Sequence, residues 1–167
     1  YLLRMMSFAQ DSMFTPEEFV ERFNSDLCND LGNLLNRTIG MMNKYFDGII
    51  PTNSTAKTEF DDSLEQFVKQ QITKIEECMD TYHVSNSLVE LWAIISRTNK
   101  YIDETAPWVL AKEEQTEKLE SVMYHLAENL RKVAIMLQPF MPDTAENMLK
   151  QLGITSANWD SIYDYDK

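Results

Sequence analysis

Asn33 and Arg37 stand four residues apart, so in a helix their side chains leave one face a turn from each other. Together they offer an amide and a guanidinium, groups that read the edges of nucleic-acid bases. They sit in a run, Leu31 to Phe46, that has no Asp or Glu but holds Asn36, Asn43 and Lys44. A second acid-free run, Leu91 to Ile102, carries Arg97, Asn99 and Lys100, and Pro107-Trp108 follows it. An indole beside such a face can stack an unpaired base, and single-stranded RNA loops are commonly read that way. A third run, 129–142, is acid-free as well and carries Arg131 and Lys132. Spacing alone leaves other uses open. Asn33 could make a helix–helix hydrogen bond, Arg37 could pair with an acid on a neighbouring helix, and Trp108 could plug the core.

Other chemistry finds little support. Gly32, Gly40, Gly48 and Gly153 are isolated, so no glycine-rich phosphate loop can be built. Asp80 precedes His83 by three residues, half of a di-iron helix spacing, but Val122 occupies the matching place before His125. No metal site is expected, and both histidines read as surface or loop-edge residues. Carboxylate pairs such as Asp61-Asp62 and Glu76-Glu77 read as solvated helix faces rather than as an acid and its base. Cys28 and Cys78 form no Cys-x-x-Cys, and buried free thiols in a reducing compartment are the expectation. No catalytic residue is assigned.

These side chains must be positioned by helices. The 167 residues include only four glycines and five prolines, with an apolar set of Leu, Met, Ile and Phe, which favours an all-α fold. Thr15-Pro16-Glu17-Glu18 reads as a helix start with a capping box. Apolar spacing of three and four then runs from Phe19 to Phe46, with a break possible at Asn24-Ser25, and Gly48 suits a left-handed stop. Further helices are predicted from about Thr58 to Tyr82, from Ser85 or Asn86 through Ile102, from Gln115 to Gln138, and from Pro142 to before Gly153. Pro107 interrupts the third. Short loops between long helices mean mostly antiparallel neighbours. Fifteen Lys and Arg against 27 Asp and Glu give a net charge of −12, which repels nucleic acid at long range. An RNA site therefore requires the cations to gather on one face. No apolar run is long enough to span a membrane, and no signal-peptide pattern opens the chain.

At the same residues the sequence resembles a known family. The stretch from Phe23 to Arg37, continuing through Asn43-Lys44-Tyr45-Phe46-Asp47-Gly48, is similar to the start of the anticodon-binding domain of bacterial methionine–tRNA ligases. The block Arg97 to Trp108, extended by Val109-Leu110-Ala111-Lys112, resembles the same family. Leu137-Gln138-Pro139-Phe140-Met141-Pro142 matches a weaker pattern of related class I ligases. The likeness runs from Tyr1 to about Gly153. It implies an antiparallel helical bundle that holds the CAU anticodon of methionine tRNA. Asn33 and Arg37 match residues that contact anticodon bases, and Trp108 matches the residue on which the first base stacks. Asn36, Lys44, Asn99, Lys100 and Pro107 are given supporting places on the RNA face.

The resemblance also sets the expected context. The ATP, magnesium and methionine sites, the His-Ile-Gly-His-type motif and the Lys-Met-Ser-Lys-Ser loop would lie before Tyr1, in a catalytic domain that is the second expected partner. This chain alone should be inactive and hold no cofactor, in the cytoplasm, with no part in DNA binding. Residues 1–14 read as the connection from that domain, 15–153 as the anticodon-binding bundle, and 154–167 as an acidic, aromatic tail. The alternative is a helical protein–protein interaction module that binds no RNA and uses exposed Met and aromatic side chains.

Overall fold

The computed structural model describes residues 1–6, 10–52, 55–155, 157–163 and 165. Among them no strand occurs, and the chain is an all-α bundle, as its periodicity indicates. The helices are α1 (Leu2–Met5), α2 (Pro16–Arg22), α3 (Asn33–Phe46), α4 (Asp61–Asp80), α5 (Val84–Thr105), α6 (Pro107–Lys112), α7 (Thr116–Leu137) and α8 (Pro142–Gln151). A π-helix, Phe23–Gly32, joins α2 to α3, and a short 3-10 helix, Trp159–Ile162, lies in the C-terminal segment.

Local sequence sets most of these bounds. Pro16 occupies the first turn of α2 and Thr15 is its N-cap in extended backbone. The expected capping box does not close: the Thr15 hydroxyl donates to the Glu18 carboxylate at 3.5 Å instead of accepting from a backbone N–H. Asp47 and Gly48 both take positive φ at the end of α3, and the Gly48 N–H reaches back to the Met42 carbonyl at 3.2 Å. The break expected at Asn24-Ser25 is a change of register rather than a gap, because the chain continues helically but with π spacing. Ala106, at φ 42°, ends α5 and lets Pro107 start α6 on a new axis.

The core is built on α7. Every residue from Ser121 to Leu137 is buried, because α3, α4, α5, α6, α8 and the 3-10 helix all pack on it. Leu34 and Met42 of α3, Leu64, Val68, Ile72 and Ile75 of α4, and Leu91, Ile94, Ile95 and Ile102 of α5 meet it. Only three residues separate α4 from α5, which folds them into an antiparallel hairpin.

Polar residues are buried here as well, against the expectation of solvated acids and surface histidines. Asp61 is fully buried: it accepts from Tyr101 Oη at 2.7 Å, from Ser121 Oγ at 2.7 Å, from the Thr58 N–H at 3.0 Å and from the Thr58 hydroxyl. Burial disfavours its charge, but those donors outweigh it and hold the carboxyl below the usual range. His125 is fully buried between the Ser121 carbonyl and the Glu65 carboxylate. Only His83, the N-cap residue of α5, sits exposed at a loop edge. The thiols also depart from expectation, Cys28 being exposed and Cys78 partly so.

Residues 157–163 and 165, set apart as a tail on composition, pack on α4 and α7. Arg131 donates to the Ser161 hydroxyl and carbonyl at 2.7 and 2.9 Å, Trp159 Nε1 donates to Glu76 at 3.0 Å, and Tyr165 Oη donates to Asn129 Oδ1 at 2.8 Å. The other end of the chain is open: an apolar groove of about 630 Å³ lies between the N-terminal helices and α5, its wall including Phe14, Phe19, Phe23 and Trp92.

Candidate nucleic-acid interface

The π-helix and the start of α3 present one polar surface. Leu34, Thr38 and Met42 face the core, so Asn33, Asn36 and Arg37 are turned outward by helical geometry. Asn33 and Asn36 are exposed and line a polar groove of about 490 Å³ with Cys28, Asn29 and Gly32. On sequence alone Asn29 has no assigned place on this surface, and Cys28 is expected to be a buried thiol. The missed signal was Asn29 at four residues before Asn33, the same spacing that links Asn33 to Arg37.

Arg37 reaches across to the C-terminal end of α5, where its Nη2 donates to Asp103 Oδ1 at 2.7 Å. The pairing with a neighbouring acid, one of the readings left open, is therefore what the free chain shows. The pair is not sealed, since the Asp103 side chain is 67% and the Arg37 side chain 28% exposed. Exposed pairs of this kind are worth about 0–1 kcal/mol. A good bidentate contact to a base edge is worth roughly 1–3 kcal/mol, so a ligand can outbid Asp103 for the guanidinium.

Trp108 stands in the first turn of α6, five residues after Asp103, and is 47% exposed, so it is not a core plug. Pro107 is buried, which corrects its place on the RNA face. It fixes the start of α6 and thereby the direction in which Trp108 leaves the bundle. Lys44 is exposed with its ammonium 5.0 Å from the Tyr45 ring centroid. Lys100 and Arg97 converge on one carboxylate, Glu104, at 3.4 and 2.9 Å. Asn99 points inward, and its amide nitrogen donates to the Asp30 carbonyl at 3.1 Å. The cations of the second acid-free run are thus both answered by Glu104, while Asp103, its neighbour, holds Arg37 of the first run.

Among the described residues, no group of three or more His, Cys, Asp or Glu is placed to hold a metal ion, and no helix is long and apolar enough to cross a membrane. The surface offers amides, a loosely held guanidinium and an aromatic face.

Residues 50–166 match the family described as the anticodon binding domain of methionyl tRNA ligase. The chain belongs to that family. Residues 1–39 match a second family, described as tRNA synthetases class I (M). Relatives of the methionyl-tRNA ligase family align along almost all of it. The methionine–tRNA ligase of Listeria innocua is 56% identical over 99% of this chain, and that of Bacillus subtilis 57% identical over 97%. The chain spans about a quarter of the length of these curated relatives, 26% and 25% respectively. Mycobacterium tuberculosis methionyl-tRNA synthetase, solved in complex with methionyl-adenylate, superposes with a TM-score of 0.89 at 30% identity. That match covers 96% of this chain and 32% of the longer one.

Proposed function

We propose that this chain recognises the anticodon loop of methionine tRNA, reading the bases CAU, as the anticodon-binding part of a longer methionine–tRNA ligase. In this reading Asn33 and Arg37 contact base edges and Trp108 stacks the first anticodon base. Asn36, Asn29 and Lys44 line the approach. ATP, magnesium and methionine belong to the catalytic part of the ligase, outside this chain, and the ligase works in the cytoplasm. The observation that carries the reading is the exposure of Trp108, five residues after the solvent-exposed acid that holds the Arg37 guanidinium. That is a stacking face and a base-edge donor kept available together.

The net charge of −12 supports the same reading in a different way. A chain this acidic gains little from non-specific phosphate attraction. Discrimination then rests on the stack and the base contacts, each worth about 1–3 kcal/mol. Binding of a CAU anticodon stem-loop, compared with one whose first anticodon base is changed, tests the proposal. Clear preference for CAU is the expected result. Equal or absent binding would return the chain to the class of helical protein-interaction modules.

A further inference from the structure

A π-helix is rare and is usually confined to a single turn inside an α-helix, frequently at functional sites. Here it runs for ten residues, Phe23–Gly32. Two contacts from α5 and one feature of the π-helix itself fit this register. First, the Trp92 indole donates to the Asp26 carbonyl at 3.1 Å, a buried contact. Second, the Asn99 amide nitrogen donates to the Asp30 carbonyl, also at 3.1 Å. The two donors are seven residues apart on α5, two turns of one face. The two acceptors are four apart on the π-helix, so α5 grips that helix at both ends of one stretch. Third, a Cβ on Gly32 would lie 2.9 Å from the Leu27 carbonyl oxygen, five residues back. Only glycine fits there without a shift, because the π register brings that carbonyl against it.

We propose that Asn99 is a positioning residue for anticodon recognition. With Trp92 it holds the π register that keeps the groove of Cys28, Asn29 and Gly32 open beside Asn33 and Asn36. The inference rests on the anticodon reading given above. The N–H of Asn33 is shared between the Asp30 carbonyl, which also accepts from Asn99, and the Cys28 carbonyl, five residues earlier, so the groove and the register share a hydrogen bond. Helix α3 is anchored in the core by Leu34, Thr38 and Met42. A slip of one residue into α spacing would therefore fall on the residues before Gly32 and swing Cys28 and Asn29 by about 100°. That swing removes the groove without touching Arg37 or Trp108. The Oδ1 of Asn99 is buried and makes no hydrogen bond, and one N–H of its amide is given to the Asp30 carbonyl, so the contact the side chain makes is with the π-helix backbone.

The test compares wild type, Asn99→Ala and Gly32→Ala in the 167-residue chain. Two quantities are read: affinity for a CAU anticodon stem-loop, and the amide exchange rate of Asn33 by NMR. Both variants are expected to weaken stem-loop binding about tenfold and to speed Asn33 exchange at least tenfold, with far-ultraviolet helicity retained. Gly32→Ala attacks the register from the side opposite to Asn99, so agreement between them identifies the register as the cause. If Asn99→Ala loses binding while Asn33 exchange stays at the wild-type rate, Asn99 contacts RNA directly and the proposal is overturned. Faster exchange with unchanged binding, or no change in either, overturns it too. Wild type that fails to bind the stem-loop removes the anticodon reading itself, a result distinct from a wild type that binds and variants that do so equally well.

Discussion

Two regions of the molecule use the same side-chain types to opposite ends. The outward corner holds Asn33, Arg37 and Trp108. The seam beneath the C-terminal segment holds Asn129, Arg131 and Tyr165, with Lys132 and Glu128. In the corner, the Arg37 guanidinium rests on a carboxylate that is two-thirds exposed. In the seam, Arg131 donates to Glu128 at 2.8 Å and also to Ser161, with both charged side chains almost wholly covered. An exposed pair can exchange partners at a cost of about 0–1 kcal/mol, whereas removing one member of a buried pair costs about 3–5 kcal/mol. The first arrangement suits a recognition surface and the second suits a fixed structural joint. Residue type does not separate them; solvent access does.

The largest effect that would sharpen this contrast is expected in the seam. Arg131→Met leaves Glu128 buried without its partner and removes two bonds to Ser161. Urea denaturation should show a loss of about 3–5 kcal/mol. The ratio of CAU to altered stem-loop binding should stay at the wild-type value in the fraction that remains folded. A change in that ratio would erase the division between the two regions.

In the corner the opposite pattern is expected. Trp108→Ala and Arg37→Ala should each weaken CAU stem-loop binding by about 1–3 kcal/mol, roughly 5- to 150-fold, by loss of a stack or a base contact. Their unfolding free energies should stay within about 0.5 kcal/mol of wild type, as for surface positions generally. Unfolding of either variant would make its side chain structural.

How much of this was legible in the sequence follows from the same contrast. The helices could be read because apolar spacing and Pro or Gly punctuation are local signals: Pro16, Asp47-Gly48, Pro107 and Pro142 mark ends that the structure keeps. The burial of Asp61 and His125 could not be read, because it depends on partners 40 and 60 residues away, Tyr101 and Glu65. The third acid-free run, 129–142, looks like the other two on paper. Its residues 129–137 are buried in α7 under the neighbouring helices, with Ser161 and Tyr165 closing over Arg131 and Asn129, and no local pattern announces that docking. The π register between Phe23 and Gly32 is hidden for a similar reason. Its supports, Trp92 and Asn99, come from another helix.

Lys132 gives the seam a pH signature. It is fully buried, with its ammonium 3.2 Å from the centroid of the Tyr165 ring. Burial pulls its pKa down to about 7, although Glu128 on α7 and Glu65 on α4 favour its charge; Arg131 and Lys69 oppose it. An ordinary lysine titrates near 10.4. Between those two values the unfolded chain binds the proton and the folded chain does not, so stability rises with pH, by up to about 1.4 kcal/mol per unit. Below about pH 7 both forms are protonated and the slope vanishes. Lys132→Met should flatten the curve above pH 7 and raise stability at pH 6, measured by urea midpoints across pH 6–9. A wild-type curve that falls over that range would refute the assignment.

The smallest effect tests the corner most directly. In the free chain Asp103 holds Arg37, and a stem-loop that uses the guanidinium must displace that carboxylate. Asp103→Asn keeps the size of the side chain and removes its charge, so Arg37 is released and one phosphate-repelling group is lost. The exposed pair was worth only about 0–1 kcal/mol, so the gain in affinity is bounded at about fivefold. The gain should shrink as salt is raised, because exposed charges are screened within about 10 Å at 0.1 M ionic strength. It should also appear for the altered stem-loop, since releasing Arg37 makes it available to any base with a suitable edge. On the proposed reading Asp103 would serve selectivity by making every ligand compete for Arg37, so that a loop that also stacks on Trp108 and fills the amide groove would be favoured. If Asp103→Asn weakens CAU binding instead, the carboxylate orients the guanidinium for the base, and its contact with Arg37 belongs to the bound state as well as the free one.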